Sequence, residues 1–140
     1  MTMLPTWPTR TVGMLATTAP DGPHVIPVSA PLRAGDRLIL LSLHRTRGSL
    51  ERLRDRPEVA LLVLAGDDIA FTARGRASVV EEPMDVAPDY VAVAIELDAI
   101  DDHRQPAFVV DSGVGRRWID EAEQKALGAR VAALSERATA

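Results

Sequence analysis

Apolar and polar residues alternate with a period of two over most of the first hundred positions. Residues 11–18 are apolar and β-prone, and the run stops at Ala19-Pro20-Asp21-Gly22, where Pro in second and Gly in fourth place suit a type I turn. Residues 24–32 put His24, Ile26, Val28, Ala30 and Leu32 on one face and Val25, Pro27, Ser29 and Pro31 on the other. Proline lacks the N–H that a ladder needs, so two prolines on one face put this strand at an edge, at a bulge or facing a ligand. Ala34-Gly35-Asp36 closes another hairpin into residues 37–43 (RLILLSL), an almost unbroken apolar run. After a loop over 44–48, Ser49 is positioned to cap a short helix, 50–54, which ends before Pro57 with Leu50 and Leu53 inward.

Residues 58–65 (EVALLVLA) form a second strand that is apolar on both faces, and Gly66-Asp67-Asp68 turns the chain back. Over 69–80 the alternation is cleanest: Ile69, Phe71, Ala73, Gly75, Ala77 and Val79 point one way, and Thr72, Arg74, Arg76 and Ser78 the other. A polar, proline-bounded link leads to a strand over 90–98 with Val91, Val93, Ile95 and Leu97 inside, and 107–110 is a short candidate strand. Beyond Gly113 and Gly115 the pattern changes to that of a helix over about 117–137, with Leu127, Val131 and Leu134 as its inward stripe. The expectation is mainly β: about six antiparallel strands closing into a barrel, a short helix after the third strand and a C-terminal helix. The strands 37–43 and 58–65 have two apolar faces each, while a small barrel covers one. A partner subunit is the simplest cover for the other, which predicts a homodimer.

Composition narrows the picture. At 140 residues, 46% of them hydrophobic, the chain suits one domain, 11–140, preceded by an extension, 1–10. No apolar run approaches the roughly 20 residues of a membrane helix, and two prolines interrupt the first ten residues where a signal core would lie. Zero cysteines exclude disulfides, thiol chemistry and Cys-ligated metal, which fits a cytoplasmic address. A net charge of −4, with two Phe, two Trp and one Tyr, gives neither the basic groove nor the stacking residues of a nucleic-acid binder. The charge is uneven, however. Arg45, Arg47, Arg52, Arg54 and Arg56 crowd one stretch against only Glu51 and Asp55, while residues 81–102 are acidic. The arginines are either a solvated helix face or a local anion site, and the acidic run reads as a solvated edge.

No catalytic constellation stands out. There is no G-x-G-x-x-G, P-loop or G-x-S-x-G, and His24, His44 and His103 fall on three elements without metal-ligand spacing. A chain without its own nucleophile or metal suits chemistry carried by a bound cofactor.

The order of elements carries a resemblance. The succession TVGMLATTAPDG from Thr11, PHVIPVS from Pro23, DRLILLS from Asp36, LRDRPEVALLV from Leu53 and RGRA from Arg74 resembles the pyridoxamine 5′-phosphate oxidase-like flavin-binding split β-barrels, over residues 10–110. The resemblance implies a flavin ring lying along the second strand at Pro27, Val28 and Ser29, with Ser42 beneath the ribityl chain. It implies a phosphate where the loop meets the short helix, at Thr46, Arg47, Ser49 and Leu50, because free N–H groups and guanidinium side chains stabilise an anion there. The family commonly has a Lys where this chain has Ser49, so the charge has to come from Arg47, or from Arg45 or Arg52. Arg76, beside Arg74 on the wet face of its strand, is either solvating or, in similar dimers, near the other subunit's cofactor. Trp118 either caps the ligand or anchors its helix.

Two functions follow as expectations. The first is an FMN-dependent oxidoreductase, or one using the deazaflavin F420, acting on a small organic substrate. The second is a non-catalytic flavin- or haem-binding protein on the same barrel. A C-terminal segment for substrate phosphate, as in true oxidases, is not apparent, which argues against pyridoxamine phosphate as the substrate.

Overall fold

The computed structural model describes residues 1–139. Seven strands and two helices follow one another as β1 (Val12–Ala19), β2 (Gly22–Ser29), β3 (Leu32–Gly35), β4 (Leu38–His44), α1 (Gly48–Asp55), β5 (Glu58–Ala65), β6 (Ile69–Glu81), β7 (Tyr90–Asp102) and α2 (Glu121–Thr139). All neighbours pair antiparallel in the order β2-β1-β5-β6-β7-β4-β3. The sheet curls into a split barrel. β2 and β4 approach each other without sharing a ladder, so the barrel expected to be closed has a seam.

Alternation dictates what the barrel encloses. Leu15, Ile39, Leu41, Leu61, Val63, Phe71, Val93 and Ile95 turn inward and are almost wholly buried. The segment 1–10 lies against the barrel without forming a strand: Leu4 and Trp7 are buried in the same core, the Trp7 ring packs 5.3 Å from Phe71, and its Nε1–H donates to Pro31 O at 2.8 Å. β7 carries an extra residue opposite β6, where the partner of Arg74 is Ala99 and that of Gly75 is Leu97. A Cβ at Gly75 would lie 2.0 Å from Glu96 O, so only glycine permits this close approach of the two strands.

Several sequence expectations are corrected. There are seven strands, because the strand expected over 24–32 breaks at Ala30, which takes φ 52 just before Pro31, and resumes as β3. The short helix therefore follows the fourth strand. It begins at Gly48, with Arg47 as the cap residue and Leu50 N–H donating to Arg47 O at 3.1 Å, so Ser49 is inside the helix and does not cap it. The last strand runs on to Asp102, and residues 107–110 make no strand, only an isolated bridge between Gln105 and Phe108.

The C-terminal helix begins at Glu121, not near 117. Asp120 Oδ1 accepts the N–H groups of Ala122 (2.9 Å) and Glu123 (3.3 Å), which satisfies the free donors of the first turn. Its buried face is Leu127, Arg130 and Leu134, so Arg130 occupies the place expected of Val131. Leu134 packs with Met84 and with Leu40, Ala92 and Ala94 on the outer side of β4 and β7. The cover for the second face of β4 thus comes from the chain's own helix, where a partner subunit was expected. Among the described residues, no helix is long and apolar enough to cross a membrane.

Candidate functional site

The seam between β2 and β4 holds a cavity of about 100 Å³ lined by Pro27, Val28, Ser29, Ser42, Leu43, His44, Arg47, Tyr90 and Arg130. Five of the eleven sequence candidates, Pro27, Val28, Ser29, Ser42 and Arg47, meet there. The convergence has a local cause. β2 runs along the seam with Pro27 and Ser29 exposed and Val28 buried, Ser42 stands near the end of β4, and Arg47 lies where the loop after β4 enters α1.

The other candidates divide. Arg45, Thr46 and Leu50 line, with Arg47, an adjoining open groove on the outer side of the loop. Arg45 is paired there with Asp89, Nε to Oδ1 at 3.0 Å. Arg52, also weighed as a source of charge, turns away and donates to Thr17 Oγ1 at 2.8 Å. Ser49 is buried under the helix, and its Oγ has no hydrogen-bond partner among the described residues. Arg76 stands on β6, away from the seam, held to Glu58 at 2.7 Å. Arg74 beside it is held to Asp101 at 2.7 Å, and the hydrogen bond from Arg74 lowers the Asp101 carboxyl below its ordinary range. Trp118 is half-buried with the Arg116 guanidinium 5.0 Å from its ring centre. That same guanidinium donates to Ser29 Oγ at 3.0 Å, so the segment before α2 reaches the rim of the cavity.

Besides the apolar Leu43, three lining residues were not among the candidates: His44, Tyr90 and Arg130. The His44 and Tyr90 rings meet edge to face at 5.2 Å. Thr46 N–H donates to His44 Nδ1 at 3.2 Å, which makes Nδ1 an acceptor and puts the proton of the neutral ring on Nε2. The Arg130 guanidinium lies 3.7 Å from the Tyr90 ring centre, and its Nε–H donates to Ser42 Oγ at 3.3 Å. Only the placement of Arg130 on a face with Leu127 and Leu134, each one turn of α2 away on either side, signalled that it points inward.

The donor set can be tested against a phosphorylated ligand. Two guanidinium groups and two serine hydroxyls surround a space equal to about three water volumes, at roughly 30 Å³ each. That suits a phosphate ester, whose oxygens accept such donors, and it is too small for a ring system, since ligand pockets usually span about 300–1,000 Å³. A ring has a different surface available: the outward face of β2, where Val25 is 63% exposed and Pro27 is also open.

The family model for pyridoxamine 5′-phosphate oxidase matches residues 3–110 of the chain. No curated protein matches its sequence. Solved structures with a similar fold include General Stress Protein 26 from Bacillus anthracis str. Sterne, at 21% identity over 65% of this chain and 82% of that one, with a TM-score of 0.53. An F420 reductase aligns at 19% identity over 67% of this chain and 91% of that one, TM-score 0.55. A FAD-binding protein from Mesorhizobium loti aligns at 16% identity over 64% and 81%, TM-score 0.52. At these identities the likeness is one of fold.

Proposed function

The chain belongs to the pyridoxamine 5′-phosphate oxidase family, and from that premise we propose that it is a flavin-dependent oxidoreductase that binds FMN at the β2–β4 seam and acts on a small organic substrate. The observation that carries this reading is the meeting of Pro27, Val28, Ser29, Ser42 and Arg47, drawn from three separate elements, around one phosphate-sized cavity.

A bound flavin supplies the hydride or electron transfer. The chain's own groups bind and orient. Arg47 offers a guanidinium to the phosphate, the Ser29 and Ser42 hydroxyls hydrogen-bond the polar chain, and Pro27 gives the ring a rigid apolar wall. Leu43 and Val28 exclude water from the inner side of the cavity.

In this reading a second copy of the chain completes the site. The outer side of β5, with Ala60 and Leu62 half-buried and Leu64 40% exposed, adjoins Met14 and Ala16 of β1. Phe108, Val109 and Val114 add exposed apolar surface in the segment that follows β7. Such a patch supports an obligate homodimer, within which Arg76 of one subunit approaches the other's ligand.

The test is a visible spectrum of the protein purified from a flavin-producing host, followed by anaerobic reduction with a nicotinamide donor. Bound flavin that is reduced and then reoxidised supports the oxidoreductase. A colourless protein that also leaves the fluorescence of added FMN unquenched refutes flavin binding. The F420 alternative, favoured by the fold shared with an F420 reductase, predicts binding only when that deazaflavin is supplied. A chromophore that neither donor nor oxygen can cycle would instead mark a non-catalytic binder.

A further inference from the structure

The arginine on α2 is a buried cation without a counter-charge. Arg130 is 7% exposed, as covered as the core leucine Leu127 on the same helix face. Of its five N–H donors, one is used, the Nε–H to Ser42 Oγ, and the flat face of the guanidinium rests on Tyr90. Among the described residues no carboxylate pairs with it, whereas Arg33, Arg45, Arg54, Arg74, Arg76 and Arg104 each have an Asp or Glu partner. Those six pairs are at the surface, where a partner matters least; the arginine that is taken out of water has no carboxylate beside it. Burying an unpaired charge is costly, and the cost falls when an anion joins it. Arg130 borders the cavity that Arg47 and Ser29 also line.

We infer that Arg130 is the principal anion-binding group of the seam, and that α2 is therefore part of the binding site as well as the cover of β4. The ligand group is a phosphate monoester, matched in size to the cavity and in charge to the two guanidinium groups. This inference rests on the proposed flavin site for the identity of the ligand, but not for the existence of the anion site. Tyr90 is a positioning residue, since it supports the guanidinium without needing to touch the ligand, and Ser42 holds the Nε–H while also facing the cavity.

The test compares FMN with riboflavin, which lacks the phosphate, by fluorescence quenching in the wild type, R130M and R130K. The wild type should bind FMN more tightly than riboflavin. R130M should lose roughly ten- to a hundredfold of FMN affinity, the usual worth of a charge-assisted hydrogen bond, while riboflavin affinity stays unchanged. R130K should recover part of the loss. If the wild type prefers FMN and R130M keeps that preference, the inference is overturned while the flavin reading stands.

If neither flavin binds the wild type, the flavin reading fails and inorganic phosphate decides the inference. Phosphate should then raise the melting temperature of the wild type, relative to chloride at equal ionic strength, and leave that of R130M unmoved. Equal responses would overturn it. Melting in phosphate-free buffer separates a structural arginine from a ligand-binding one. An unpaired buried charge replaced by methionine should leave the melting temperature equal or higher, and a large fall would assign Arg130 to packing alone.

Discussion

β4 and β5 look alike in sequence and are treated differently by the fold. Each sends alternate residues into the barrel, Ile39, Leu41 and Leu43 from β4 and Val59, Leu61 and Val63 from β5. Each also carries apolar residues on its outer side. On β4 the outer Leu40 is buried against Leu134 of α2, with Met84, Ala92 and Ala94 around it. On β5 the outer Leu62 and Leu64 keep part of their surface in water. The difference teaches that a doubly apolar strand announces a second cover without naming its source. One cover is the chain's own helix, and the other, in our reading, is a second copy of the chain.

The largest expected effect comes from removing the first cover. Leu134→Ala should cost about 2–5 kcal/mol in denaturant unfolding, as is usual for a buried leucine truncated in a packed core. It should weaken FMN binding as well, because α2 carries Arg130 into the seam. A variant that melts like the wild type would show that α2 does not cover β4. Leu62→Asp attacks the second cover. In light scattering the dimer should fall to the 15.1 kDa of one chain, while the monomer keeps its fold. A wild-type mass of 15.1 kDa at working concentrations would remove the dimer from the account.

Smaller effects sharpen the contrast between the inner and outer sides of the loop before α1. Arg47→Ala should weaken FMN roughly tenfold, about 1.4 kcal/mol, without lowering the melting temperature. Arg45→Ala, whose guanidinium is already engaged by Asp89, should change affinity less, and the reverse order would move the phosphate into the outer groove. The smallest effect belongs to Ser49→Ala. Its buried hydroxyl lacks a partner, so deleting it should leave stability unchanged or raise it by up to about 1 kcal/mol. A destabilised variant would mean that the hydroxyl is satisfied in solution.

The parts of the fold that depend on local alternation were legible in the sequence. β6 falls where its period-two run put it, because burial on one face fixes which residues alternate, and β5 falls where its doubly apolar run ahead of Gly66 put it. The break at Ala30 was not legible, since a positive φ at alanine is a choice imposed by its surroundings. The start of α2 was set too early. Trp118 looked like a helix anchor, but Arg116 and Trp118 are engaged in the segment that reaches Ser29, and Asp120 supplies the cap.

The candidate site was half legible for a similar reason. Pro27, Val28 and Ser29 were singled out through the resemblance, which implies a ring along the second strand, and Arg47 through its place in an arginine-rich loop ahead of a helix. Arg130 could not, because its partners are remote: Ser42 is 88 residues away in the chain, and hydrophobicity alone prefers Val131 at the helix face. Arg76 was chosen because the resemblance brings its strand near the other subunit's cofactor, and Trp118 because its ring could stack; within one chain their contacts are with Glu58 and Arg116.

A crystal structure of the FMN complex addresses the central claim most directly. We expect the phosphate in the β2–β4 seam, within hydrogen-bonding distance of both Arg130 and Arg47, and the ring along the outward face of β2. A phosphate bound in the outer groove beside Arg45, or crystals grown with FMN in which the seam is filled by protein alone, would contradict it.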